Sequence, residues 1–130
     1  MKSYYFDHCA STPPHEKVVR TVSELMALHY ANASSLHRAG AEAMKLVERA
    51  RAGVAEAIGV RPGEIAFTSG GTESNNWAIR GLLGRLARTS KHLVTTRTEH
   101  ASVFECARRL EREGVRVTFV DVDVNGTVDP

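Results

Sequence analysis

The 130-residue sequence lacks the features that mark several broad classes of protein. It has only two cysteines, Cys9 and Cys106, and they form neither a CxxC pair nor a zinc-binding pattern. No apolar run is long enough to cross a bilayer, and the residues after Met1 form no signal-peptide core. These absences favour a protein of the reducing cytoplasm, with no metal site and no membrane partner.

The sequence also lacks an excess of charge of either sign. Its 17 basic and 15 acidic residues give a formal net charge of +2, and the two kinds are interspersed. Proteins that bind nucleic acid usually carry a concentrated basic surface, so we expect no direct nucleic-acid partner. The length suits one small domain, and 42% hydrophobic residues are ordinary for a globular protein.

The most informative stretch is residues 65–76, IAFTSGGTESNN. Its apolar start predicts a buried strand, two glycines then allow a tight turn, and Thr72 is of a type that begins helices. A strand, a glycine turn and a helix N-terminus together make an anion site, because free N–H groups point outward there. The two glycines alone would equally suit a plain connecting turn. Neither a Walker A lysine nor a three-glycine dinucleotide fingerprint is present.

Hydrophobic periodicity predicts two helices before this stretch. The first covers about residues 13–30, with Thr12 as its N-cap. The second starts after Ser34 or Ser35, either of which can cap it, and ends at Gly59.

After the stretch, strands and helices alternate. Strands are predicted at residues 91–96 and 115–121, and the helix between them opens with a capping box of Ser102 and Glu105. This alternation from residue 64 onward predicts an α/β layer with parallel strands.

Two loops then follow predicted strands, at residues 69–72 and 97–100. Ligands of open α/β sheets bind at the carboxyl ends of the strands. His100 is therefore the histidine best placed to serve a site, although a surface histidine near a helix cap fits the same pattern.

Four stretches together resemble the N-terminal third of the pyridoxal-phosphate-dependent cysteine desulfurases, which belong with the class V aminotransferases. They occur in the family's order and spacing, as DHCASTP at 7–13, NASSLH at 32–37, FTSGGTESNN at 67–76 and TEHAS at 98–102. The resemblance implies the N-terminal portion of a fold-type I transferase, an α/β fold. We therefore expect an N-terminal arm and helical segment over residues 1–60. Residues 61–130 are then the start of the mainly parallel-sheet large domain that binds the cofactor.

The resemblance also implies roles for individual residues. Gly71 and Thr72 match the residues that bind the phosphate of pyridoxal 5'-phosphate, by backbone N–H and by hydroxyl. His100 matches the catalytic histidine that stacks on the pyridine ring and assists proton transfer. Three more candidates lie in a turn that matches a family loop near the active site and dimer interface: Asn32, Ser34 and His37.

Members of this family take sulfur from L-cysteine, leaving alanine and a persulfide on a catalytic cysteine. The resemblance thus implies a homodimeric enzyme that passes sulfur to an acceptor protein, for iron–sulfur cluster assembly or tRNA thiolation. The family's cofactor-bearing lysine and nucleophilic cysteine match no residue of this sequence, so we expect a fragment that is inactive alone. Open alternatives are a selenocysteine lyase or aminotransferase of the same fold, or a non-catalytic dimerisation or scaffold module.

Overall fold

The computed structural model describes residues 3–87 and 91–128. The predicted domain ranges also include residues 1–2, 88–90 and 129–130, which lie outside the described part of the chain. The chain divides into two compact units, one ending at Ala66 and the other starting at Phe67.

The first unit contains two helices. Helix α1 spans Glu16–Leu28, and its N-cap is His15, whose Nδ1 accepts a hydrogen bond from Lys17 N at 3.2 Å. The predicted cap at Thr12 is therefore wrong, and the Thr12 hydroxyl instead donates to His8 O at 3.4 Å. A neutral imidazole nitrogen can accept a backbone N–H bond just as a serine or threonine oxygen does, which explains why His15 can cap the helix where Thr12 was predicted to.

Helix α2 spans Arg38–Ile58 and is the longest element. Its N-cap is His37, whose Nδ1 accepts from Gly40 N at 3.2 Å, so the prediction of Ser34 or Ser35 as the cap is wrong. The predicted end is confirmed, because Gly59 adopts the left-handed conformation with φ of 72°. Among the residues that the structure describes, no helix is both long and apolar enough to span a membrane.

Gly40 lets the turn before α2 pack directly onto the helix. A Cβ at this position would lie 2.8 Å from Ser35 Cβ and 2.9 Å from Asn32 O, and closer still to Ser35 O. Real Cβ atoms do not approach backbone that closely, so this contact requires glycine. A Cβ at Gly53, on the same helix, would have no neighbour within 4 Å.

The second unit is an α/β layer. It contains α3 (Gly71–Arg85), β1 (His92–Thr96), α4 (Ala101–Arg112) and β2 (Arg116–Val120). The two strands pair in parallel, from His92 opposite Arg116 to Thr96 opposite Val120. Helix α4 is the crossover that a parallel pair needs, so the predicted α/β arrangement with parallel strands is confirmed.

The core of this unit lies where the two helices meet the sheet. Leu83 of α3 packs with Cys106 and Leu110 of α4, and partly buried apolar residues surround them: Ile79, Leu93 and Val115. The thiol of Cys106 is thus a small apolar core group.

The predicted strand at residues 65–67 is not formed in the described structure. Ile65 has an extended backbone, with φ of −95° and ψ of 127°, but its carbonyl accepts from Arg51 Nη1 at 2.6 Å. A strand is defined by its ladder to a neighbour, and the ladder of the described residues joins only β1 to β2. The local sequence therefore favours extended backbone at Ile65 but does not by itself make a strand.

We expect Gly40→Ala to destabilise the protein by roughly 1–3 kcal/mol, because the new methyl group collides with the backbone of the turn. The matched control is Gly53→Ala, whose new methyl group would have no neighbour within 4 Å. It should raise the free energy of unfolding by up to about 1 kcal/mol, because alanine has a higher helix propensity than glycine. Urea unfolding of both variants measures the difference. Equal stability of the two variants would contradict the close packing at Gly40.

Candidate functional site

The N-terminus of α3 differs from those of the other helices. Gly70 is its N-cap and has no side chain to accept a hydrogen bond, and the first backbone bond runs from Ser74 N to Gly70 O at 3.1 Å. The other three α-helices of the described chain have imidazole caps, at His15, His37 and His100. The first-turn N–H groups of α3 therefore remain available to an external acceptor: those of Gly71, Thr72 and Glu73.

Hydrogen bonds on both sides of the glycines fix the shape of this loop. Ser69 donates to the Glu73 carboxylate from its backbone N at 2.6 Å and from its hydroxyl at 2.7 Å. Thr68 Oγ1 donates to Gly70 O at 3.2 Å and lies 2.7 Å from Ser74 Oγ. The loop is thus held in place without use of the free amides that follow it.

The space beside the glycines is open. A Cβ on Gly70 or Gly71 would meet no atom within 4 Å, so packing within the protein does not require glycine here. Two glycines at a helix start leave room for a ligand to approach the backbone closely. Free amides, a helix dipole and the Thr72 hydroxyl form a donor set suited to a phosphate.

His100 caps α4 and is held by a chain of hydrogen bonds. Its Nδ1 accepts from Ser102 N at 3.1 Å and lies 2.9 Å from Ser102 Oγ. Asn75 Nδ2 of α3 donates to the same Ser102 Oγ at 2.9 Å. The predicted capping box of Ser102 and Glu105 is therefore wrong, since Ser102 lies inside the first turn and bonds to the true cap.

Asn76 ties the starts of α3 and α4 together. Its Nδ2 donates to Thr72 O at 2.9 Å and to Ser102 O at 3.3 Å. A cleft of about 400 Å³ lies at this junction, and Thr72 and His100 both line it. The structure thus brings two predicted site residues to one cleft, with Gly71 next to Thr72 in the chain. The rest of the lining is Asn76, Ala101, Ser102, Glu105, Cys106 and Arg109.

Sequence reasoning missed Asn75, Asn76 and Ser102 as parts of this site. The two asparagines follow Thr72 by three and four residues, which places all three on one helix face. That spacing could have indicated a shared face. Their partner Ser102 is 27 residues from Asn75, and no local pattern predicts that contact.

The other three predicted site residues lie in the first unit. Asn32 Oδ1 accepts from Ser34 N at 2.9 Å, which closes the turn, and His37 caps α2. In the described structure these contacts are all local. A role of Asn32, Ser34 and His37 in an active-site loop stays a prediction.

The comparison with protein families gives one broad match. The family model for aminotransferase class-V matches residues 4–130. A curated relative, the cysteine desulfurase IscS of Dictyoglomus turgidum, is 40% identical over 129 residues, which are 99% of this chain and 33% of the relative. The mitochondrial cysteine desulfurase of Saccharomyces cerevisiae is 44% identical over 126 residues, which are 96% of this chain and 25% of the relative.

Solved structures of similar proteins also match over most of this chain. A NifS-like protein superposes with a TM-score of 0.85 at 35% identity, covering 92% of this chain and 33% of its own. The protein SspA, solved in complex with cysteine, gives 0.82 at 36% identity, covering 90% of this chain and 34% of its own. These matches confirm the predicted fold class. The chain spans about a third of the length of most of these relatives.

The Glu73 carboxylate should make the glycine loop sensitive to acid. Its pKa lies below the usual glutamate value because the backbone N–H and then the hydroxyl of Ser69 donate to it. A lowered folded-state pKa means that this stabilisation is complete above the ordinary glutamate pKa of about 4.3 and is lost as the pH falls through the lower value. The amide proton shift of Ser69, followed by NMR from neutral to acidic pH, should therefore report a transition below about pH 4.3.

Glu73→Gln is the matched control for this titration. Glutamine keeps an acceptor oxygen but does not titrate, so the transition at Ser69 should disappear. A Ser69 amide that does not respond to acid in the unmodified chain would show that the carboxylate does not hold the loop.

Proposed function

The chain belongs to the aminotransferase class-V family, and from this premise we propose that it supplies the phosphate-binding part of a pyridoxal-phosphate-dependent cysteine desulfurase. One observation carries the proposal. The start of α3 has free backbone amides and no side-chain cap, and it shares a cleft with His100. A dianionic phosphate is a ligand suited to that position.

Each predicted cofactor residue has a physical role in this proposal. The amide of Gly71 and the hydroxyl of Thr72 bind the phosphate, which carries about −1.5 to −2 charge, as phosphate monoesters do. The positive end of α3 adds to the attraction. His100 would be the group that stacks on the pyridine ring, as the resemblance implies. When bound, pyridoxal phosphate supplies the electron sink that stabilises negative charge at the substrate carbon.

His100 is also the proposed proton-transfer residue. Ser102 N donates to Nδ1, so a neutral ring carries its proton on Nε2. Nε2 is then free to act toward a bound amino acid, since no partner for it occurs among the hydrogen bonds of the described residues. Imidazole suits this work because its ordinary pKa is close to neutral pH.

The activity belongs to the whole protein, and we propose it from the named relatives. The reaction takes sulfur from L-cysteine, gives alanine and leaves an enzyme persulfide. An acceptor protein for iron–sulfur cluster assembly or tRNA thiolation then receives the sulfur. We further propose a homodimer in which Asn32, Ser34 and His37 lie near the active site.

Two further parts of the proposal concern organisation and location. Residues 1–60 form the arm and helical segment, and residues 61–130 begin the cofactor-binding large domain. The cytoplasm is the proposed location, because Cys9 and Cys106 are both free thiols, as is usual in a reducing compartment.

Thr72→Ala should weaken the binding of pyridoxal phosphate to the 130-residue chain by about ten- to a hundredfold. A hydroxyl that donates to a charged group typically contributes about 1.5–3 kcal/mol, and the amides and helix dipole remain. Isothermal titration calorimetry measures the affinity. Thr118→Ala, in β2 and away from the cleft, is the control and should bind like the unmodified chain. Unchanged affinity in Thr72→Ala would mean that the glycine loop is only a turn.

The 130-residue chain should release no sulfide from L-cysteine above the rate of free pyridoxal phosphate. Its lysines and cysteines match neither the cofactor-bearing lysine nor the nucleophile that the resemblance implies. The assay combines the chain, the cofactor, L-cysteine and an excess of reductant, and detects sulfide and alanine. Multiple turnovers per chain would contradict this expectation.

A further inference from the structure

We propose that Asn75 and Ser102 are positioning residues for His100. The hydrogen bonds run from Asn75 Nδ2 to Ser102 Oγ at 2.9 Å, and from Ser102 Oγ to His100 Nδ1 at 2.9 Å. Together they orient the imidazole at the cleft and keep its proton on Nε2. The importance of that orientation for catalysis rests on the proposed function; the hydrogen-bond relay itself can be tested without cofactor.

The direction of the relay follows from the atom at its end, His100 Nδ1. A carboxamide nitrogen only donates, so the Ser102 oxygen accepts the bond from Asn75, and the direction of its bond to Nδ1 is set by whether Nδ1 carries a proton. The backbone N–H of Ser102 donates to the same Nδ1 at 3.1 Å. A proton on Nδ1 would face this backbone N–H, so Nδ1 is the acceptor and the Ser102 hydroxyl donates to it while the relay is intact.

Burial explains why the relay decides the ring's position. Ser102 is only 8% exposed, and Asn75 is partly buried, so both have restricted freedom. His100 itself is exposed and is not part of the packed core. An exposed ring is oriented mainly by its hydrogen bonds, and here they come from one buried serine that α3 holds through Asn75.

The test is the tautomer of His100 in Asn75→Asp. The new carboxylate has nearly the same shape but accepts instead of donating, so the Ser102 hydroxyl turns toward it. The hydroxyl then no longer donates to Nδ1, whereas the Ser102 backbone N–H still does, so the tautomer with the proton on Nε2 remains the major one. We expect the tautomer ratio to move toward Nδ1–H by roughly fivefold, because one neutral hydrogen bond to Nδ1 is lost. Nitrogen-15 NMR of the cofactor-free chain reports the ratio at about pH 9, above the ordinary histidine pKa of about 6.5.

The double variant Asn75→Asp/Ser102→Ala is the control that isolates the relay. Without the Ser102 hydroxyl, the carboxylate has no hydrogen-bond path to the imidazole. The His100 tautomer ratio in the double variant should therefore equal that in Ser102→Ala alone. Asn75→Asp/Ser102→Thr restores the hydroxyl and should restore the shift. Urea unfolding of every variant shows that the fold is retained.

Two results would overturn the inference. One is an unmodified chain whose His100 carries its proton on Nδ1, a measurement that needs no variant. The other is a tautomer ratio in folded Asn75→Asp equal to that of the unmodified chain. Failure to bind pyridoxal phosphate would instead count against the proposed function, and calorimetry detects that separately.

Discussion

The candidate site depends on one set of backbone hydrogen-bond donors, at the start of α3, that no side chain of the described structure caps. Backbone N–H groups in the first turn of a helix need an acceptor from outside the helix. Histidine side chains provide it for α1, α2 and α4, whereas Gly70 provides none for α3. The surrounding bonds define the shape of the loop and leave those amides exposed. A positively polarised helix start with open space beside it is complementary to a phosphate.

The second constraint is the contact between the starts of α3 and α4. Asn75 and Asn76 reach from α3 to Ser102, which ties the start of α3 to the start of α4, where His100 is the cap. Both helices also share the apolar core of Leu83, Cys106 and Leu110, so the core supports this junction. The imidazole of His100 is therefore held at a defined place relative to the free amides of α3, as an arrangement of two groups around one ligand requires.

Sequence reasoning succeeded where the signal was local. Periodic apolar residues located α2 and α4, apolar alternation located β2, the short run at residues 91–96 indicated β1, and Gly59 marked a helix end. Each of these signals depends on neighbours in the chain. It failed where the outcome depends on distant partners. Residues 65–67 form no strand in the described structure, and the bond from Asn75 joins residues 27 apart. The predicted caps were wrong because a histidine ring nitrogen accepts from the first turn of α1, α2 and α4, in place of a serine or threonine oxygen.

The most direct test of the account is a comparison of two ligands that differ only in the phosphate. The backbone amides of Gly70, Gly71, Thr72 and Glu73 are followed by ¹H–¹⁵N NMR while the chain is titrated with pyridoxal phosphate and, separately, with pyridoxal. The account predicts saturable shifts at these amides with pyridoxal phosphate and much smaller ones with pyridoxal. Equal shifts with both ligands, or shifts elsewhere only, would contradict a phosphate site at the start of α3.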